Sequence, residues 1–319
     1  MTRYVLGRLG QGVVVLWLAY SLAFIAMQVL PSDAVTAMLT GESAMPAETV
    51  ERVRAFYGLD QPVIVQYGAQ LLGLLRGDLG YSISTGQQVS ERIAGVAGST
   101  VALAALALFF AVLIAAAITA TVALVDRPRL ARTIASIPSF LAAIPAFWLG
   151  IVVLQLFSVR LQIVPLFPDG SAAALIAPAL VLAVPVSAPL AQVAVRQVTA
   201  AFEQPYVDVV RAKGASGARV LVRHVARNAA GPVLTVLGLS TGALLAGAVI
   251  VETVFSRPGF GRILIEAVNT QDATTVQSLV LLAAAVFVLI NLVVDLLYPV
   301  LDPRILRGRS GRRSIGSLA

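Results

Sequence analysis

The sequence predicts an all-α membrane protein with six transmembrane helices and both termini in the cytoplasm. Three observations carry that reading. Apolar residues make up 58% of the 319-residue chain and charged residues only 12%, with a mean hydropathy of +0.89; soluble domains carry roughly 25% charged residues. Six uncharged stretches reach the length a bilayer requires, about 20 residues: residues 10–30, 99–125, 133–159, 170–195, 228–251 and 273–294. The charges outside them are sorted by side. The segments before span one, between two and three, between four and five and after six hold 16 of the 23 Arg and Lys but only 5 of the 16 acidic residues; the alternate loops hold 7 and 11. Basic segments stay in the cytoplasm. The net charge of +7 is therefore topological and not a nucleic-acid footprint.

Arg3 and Arg8 precede span one. Its apolar run is longer than the roughly 7–15 residues of a signal-peptide core, which favours a retained anchor. Residues 31–98 form the long extracytoplasmic loop. Within it, residues 46–57 read as a short helix with Val50, Val53 and Phe56 or Tyr57 on one face, stopped by Gly58. Pro62 opens a second, with Ile64, Tyr67, Leu71 and Leu75 in step, and RGDLG (76–80) reads as a turn. The loop is expected to be a cap resting on the membrane, a docking surface for a soluble partner, or both. Pro178, Pro185 and Pro189 are expected to bend span four. Span five carries Gly238, Gly242 and Gly247 with Thr235, Ser240 and Thr241. Such small residues allow close helix packing, or line a pathway with uncharged hydrogen-bonding groups.

Several function classes are excluded or disfavoured. No Asp, Glu, Lys, Arg or His lies within the six spans, so a proton relay at membrane depth has no carrier. The one lysine, Lys213, is followed by Gly214, so no phosphate-binding P-loop exists. One histidine and no cysteine argue against a zinc or copper centre. Energy for uphill transport would have to come from another subunit. A self-sufficient ion-coupled or passive transporter and a structural membrane protein stay open as alternatives.

Residues 206–228, YVDVVRAKGASGARVLVRHVARN, hold six charged side chains and the only histidine between two apolar spans. Residues 204–213 read as a helix, with Pro205 in its first turn and Tyr206, Val209 and Val210 on one face. GASG (214–217) breaks it. A second helix follows, with Arg219, Arg223 and Arg227 on one face and Val220, Leu221 and Val225 on another. Two readings fit: an amphipathic anchor on anionic lipid, or a lever that docks into a cytoplasmic subunit. The glycine hinge favours the lever.

This segment resembles the "EAA" loop of ABC-importer permeases, and more closely the dipeptide/oligopeptide/nickel ABC-importer permease family. The resemblance extends over nearly the whole chain: YGLDQP (57–62), GLLRGDLGYS (73–82), IPAFWLG (144–150), RHVARN (223–228), VETVFSRPGFG (251–261) and INLVVDLLYPVLDPRI (290–305). It looks like the first of that family's two permease subunits. The resemblance implies a type I importer permease fold in a bacterial inner membrane, as a multi-pass heterodimer with a second permease. It further implies two ATP-binding cassette subunits that bind ATP and Mg, an extracytoplasmic substrate-binding protein, and no cofactor or catalytic role on this chain. In domains, 1–30 would be the N-terminal transmembrane helix, 31–98 the extracytoplasmic region, and 99–319 a five-helix permease core. That core would include the coupling loop 196–227 and a basic C-terminal tail. Asp208, Arg211, Ala212, Lys213, Gly214 and His224 would form the ATPase-coupling contact, with an Asp-Val-Val core where the family has Glu-Ala-Ala. Glu252, Pro258, Gly259 and Gly261 match an outer-face motif, read either as a gate or as a loop that caps span five. The implied solute is a di- or oligopeptide, with nickel or another small solute as the alternative.

Overall fold

The computed structural model describes residues 2–29 and 47–301. The first part of the long loop, with Pro46, and the basic tail after residue 301 lie outside the described residues. The elements are α1 (Thr2–Val29), α2 (Ala47–Phe56), α3 (Val63–Leu75), α4 (Val89–Leu124), α5 (Pro128–Ala143) and α6 (Ala146–Val153), the last continuing as a π-helical turn, Leu154–Arg160. They are followed by α7 (Ala172–Phe202), α8 (Pro205–Ala212), α9 (Gly217–Val220), a second π-helical turn (Leu221–Val225), α10 (Ala226–Val254), α11 (Phe260–Asn269) and α12 (Ala273–Leu301). Among the described residues there is no strand beyond a single antiparallel bridge between Tyr81 and Gln88. Helices dominate because a backbone in hydrocarbon must satisfy its own hydrogen bonds.

Among the described residues, five helical runs are long and apolar enough to cross a membrane, and they coincide with predicted spans one, two, four, five and six. The third predicted span is not one continuous helix. Residues 128–143 and 146–160 meet at a 92° bend. Pro145 has no amide hydrogen to continue the ladder, and its ring pushes Ile144 into an extended conformation, φ −82° and ψ 117°. Uniform hydrophobicity at 133–159 concealed this break.

Two units form by contact density. The first contains the described residues up to 102 together with 256–288. Its cap is a small cluster in which Ile83 is covered by Val53, Tyr57 and Leu59. A second cluster joins Val89 and Ile93 of α4 to Ile263 of α11 and Leu279 of α12.

The other unit contains residues 103–255 and the described residues from 289. Its core sets Leu103, Ala107, Ala111 and Ala115 of α4, a four-residue repeat on one face, against α7 and α10. α7 is the central helix: 56% of its apolar window is buried, against 22–28% for the other four spans. Pro178, Pro185 and Pro189 all lie inside α7, which nevertheless remains one 31-residue helix. Close approach is enforced by glycine. A methyl group on Gly247 of α10 would stand 2.5 Å from Leu182 Cδ1 of α7, and one on Gly150 of α6 would stand 3.1 Å from Val254. Gly247→Val is therefore expected to overpack the α7–α10 seam at a cost of about 1–3 kcal/mol, read as a lower unfolding temperature of the detergent-solubilised protein.

Candidate functional site

The predicted helix–turn–helix is present at residues 205–225. Pro205 occupies the first turn of α8 behind an N-cap at Gln204, where its missing amide hydrogen has no partner to lose. Asp208 sits in the first turn and Arg211 in the last, each matched to the partial charge of its helix end. Gly214 then adopts φ +82°, a left-handed conformation that side chains with a Cβ resist. Its amide donates to the Arg211 carbonyl at 2.8 Å, and the Ala215 amide to the Val210 carbonyl at 3.3 Å. The Ser216 hydroxyl caps the next helix by accepting from the Arg219 amide.

One apolar cluster holds the hairpin in place. Val207, Val220 and Val225 are fully buried, packed with Val198, Leu221 and Ala229. Ala120 and Ala123 from the end of α4 and Ala201 and Phe202 from the end of α7 close the cluster. The Asn228 amide donates to the Tyr206 hydroxyl at 3.1 Å, tying α8 to α10. The Arg211 guanidinium lies 5.6 Å above the Phe202 ring.

The inward face of α8 differs from the expectation. Val207 is the buried residue, Tyr206 and Val210 are half-buried, and Val209 is 56% exposed. The cluster takes in Tyr206, Val207 and Val210, so the contact stripe is turned away from Val209. The second arm is also not a separate helix: through the π-helical turn it runs directly into α10 as one stretch, Gly217–Val254. The hairpin and span five are thus joined without an intervening loop.

Asp208, Arg211, Ala212, Lys213 and Gly214 are all exposed. His224 is half-buried in the π-helical turn. Of the proposed lining residues, Gly238, Ser240 and Thr241 are buried within the chain, Gly242 is half-buried and Thr235 is exposed. The Ser240 and Thr241 hydroxyls donate to the carbonyls of Val236 and Gly238 in their own helix. Gly238 makes room for α12, where Val294 and Asn291 would lie 3.2–3.4 Å from an added methyl. Glu252 is fully buried in the last turn of α10, so that helix carries an ionisable group just past the predicted end of span five. In the other unit, Pro258 is exposed while Gly259 and Gly261 are buried at the start of α11. There the Phe260 amide donates to Thr100 Oγ1 at 2.9 Å and Arg257 donates to Ser99 Oγ at 3.2 Å.

Sequence reasoning missed a polar centre around Asp272. This carboxylate is completely buried. It accepts from the hydroxyls of Ser82, Ser84 and Thr275 and from the amides of Ile83 and Thr275. Asp272 is thereby the N-cap of α12 and the anchor of the 82–85 turn. Ser82 Oγ also accepts from Arg92, which forms a 3.3 Å ion pair with Glu266. The Tyr57 hydroxyl donates to the Ser82 carbonyl at 3.1 Å. Burial, and after it the negative charge of Asp272, push the Tyr57 phenol above its ordinary value of 10.0. The Asp-x-x-Thr pattern just before an apolar run was the available signal.

With this architecture in view, comparison with known proteins is decisive. Residues 113–307 match the family described as binding-protein-dependent transport system inner membrane component, and residues 1–104 match its N-terminal counterpart. The chain belongs to this family. A peptide transport system permease protein of Brucella abortus (strain 2308) is 36% identical over 313 residues, covering 96% of this chain and 99% of the relative. The glutathione transport system permease protein GsiC of Salmonella choleraesuis (strain SC-B67) is 36% identical over 310 residues, and GsiC of Escherichia coli O6:H1 is 37% identical over 309, each with the same coverage. Among solved structures, the inward-facing MetNI methionine ABC transporter aligns with TM-score 0.55 and 17% identity over 66% of this chain and 96% of that one. It supports the shared fold. The protein is a multi-pass inner-membrane permease.

Removing the Asp272 carboxylate leaves buried donors without an acceptor, each worth about 1–3 kcal/mol. Asp272→Ala is expected to destabilise the protein by about 3 kcal/mol or more and Asp272→Asn by less, measured by thermal unfolding in detergent.

Proposed function

We propose that the chain is one permease subunit of an ATP-driven importer for di- or oligopeptides, forming half of its translocation pathway. The observation that carries this reading is the hairpin: an exposed charged face on a glycine hinge, packed on the ends of α4 and α7 and continuous with span five. That is the construction expected of an element that receives motion from a cytoplasmic subunit. Asp208, Arg211, Ala212, Lys213 and Gly214 make the contact with an ATP-binding subunit, and His224 supports the turn behind it. ATP and Mg are bound and hydrolysed by two such partners. A second permease completes the pathway, and an extracytoplasmic binding protein delivers the solute. The hairpin faces the cytoplasm because the basic segments do. The relatives named for peptide and for glutathione transport support a peptide-like solute, glutathione being itself a tripeptide.

Transport in this scheme is a shift between inward- and outward-open populations, driven by nucleotide bound at a distance. Gentle solubilisation of the tagged chain is expected to bring down two ATP-binding proteins, a second permease and a binding protein, with ATPase activity in the eluate. A chain that emerges alone and inert towards ATP would instead indicate a self-sufficient transporter.

The hinge provides the sharper test. A β-branched residue at φ +82° costs about 1–2 kcal/mol, a population factor of about 5–30. Gly214→Val is expected to lower peptide uptake by that factor while the complex still assembles and hydrolyses ATP. Gly214→Asn, which tolerates the left-handed region, is expected to keep most uptake.

A further inference from the structure

We infer that α3 is an interfacial helix whose outward face is immersed in the lipid boundary of the bilayer, beside α1. Its 13 residues, VIVQYGAQLLGLL, contain no charged side chain and none is buried. At 1.5 Å per residue the helix is about 20 Å long, too short to cross a hydrocarbon core of about 30 Å. Ile64, Val65, Leu72 and Leu75 are 75%, 48%, 54% and 76% exposed, and helical geometry places them with Ala69 on one continuous stripe. The polar residues point the other way. Gln66 donates to the carbonyls of Leu59 and Gln61, and Gln70 Oε1 is shut off from the surface. A helix bathed in water would turn its glutamines outward and its leucines inward. The reversed arrangement fits an apolar solvent.

The stripe continues a surface that already faces lipid. Tyr67 on the inner side of α3 packs at a tilt against Tyr20 and edge-on against Phe24 of α1, with ring centroids 5.1 and 5.2 Å apart. Tyr20 donates to the Tyr67 carbonyl at 2.9 Å, and the hydroxyls of Tyr67 and Ser21 are 2.8 Å apart. α1 itself exposes Trp17, Leu22 and Ile25, the face that a membrane span gives to lipid. Exposed charges bracket α3, Asp60 before it and Arg76 and Asp78 after it, which keep its ends at the level of the headgroups. α3 thereby sets the height of the turn and cap that follow it in the chain.

The chain has no cysteine, so each single-cysteine variant carries one thiol on this chain, and the unsubstituted complex taken through the same labelling gives the background to subtract. I64C, L72C and, as an aqueous reference, D60C are each labelled with bimane in the full transporter complex reconstituted in liposomes. Emission is then quenched either by phospholipids brominated near the headgroup end of the acyl chain or by aqueous iodide. Bromolipid is expected to quench I64C and L72C at least about twofold more than D60C, and iodide to quench them less. Iodide quenching of L72C equal to that of D60C would make the stripe a water-facing surface and overturn the inference. Protection of L72C from both quenchers would mean that a protein partner covers the stripe, and would overturn it equally.

Discussion

The position of the hairpin depends on one apolar contact set. Val207, Val220 and Val225 are sealed from solvent where the ends of α4 and α7, the short helix α8 and the root of α10 converge. Hydrophobic burial has no preferred direction, so by itself this cluster would only glue the hairpin down. Direction comes from the covalent path: the second arm is the first part of a helix that runs to Val254. The packed side chains of α8 are thereby tied to a helical run that contains the π-helical turn Leu221–Val225 and Pro232. Of the charged residues of the hairpin, Arg211 meets the cluster's edge through the Phe202 ring, while Asp208 and Lys213 are exposed, where ion pairs are worth little to stability.

The second constraint is electrostatic and lies in the other unit. A carboxylate removed from water is tolerated only when its oxygens are hydrogen-bonded. Asp272 meets that requirement with three hydroxyls and two backbone amides drawn from the 82–85 turn and the first turn of α12. The cap is therefore held by a specific polar node rather than by area, since its own apolar cluster has Ile83 as its single buried member among the described residues. Tyr57 joins the same node from the end of α2 through the Ser82 carbonyl.

Much of the fold was legible because membrane spans obey a coarse rule. Length and absence of charge locate a helix that must satisfy its backbone in hydrocarbon, and five of the six predicted stretches are continuous helical runs. The rule is blind to local geometry inside an apolar stretch. Ile144–Pro145 turns the third stretch through 92°, and Pro145 was visible in the sequence but its effect depended on whether the neighbours would tolerate a break. Three prolines in α7 produced no such interruption. The hairpin was legible through Pro205 and Gly214, two residues with restricted or unusual backbone preferences, whereas the identity of its buried face, Val207 in place of Val209, was not.

Composition and order of residues alone established a helical membrane protein, the glycine-hinged hairpin and the resemblance to importer permeases. These are properties of single segments, set by transfer to lipid and by backbone preference. Tertiary structure decided which faces of those segments meet. It placed Ser240 and Thr241 inside the chain with their hydroxyls bonded to their own helix. It revealed that Gly247 marks the seam with Leu182, and it joined Asp272 to residues some 190 positions away. Such pairings depend on which surfaces exclude water or lipid together, a relation between distant segments that no single stretch of sequence contains.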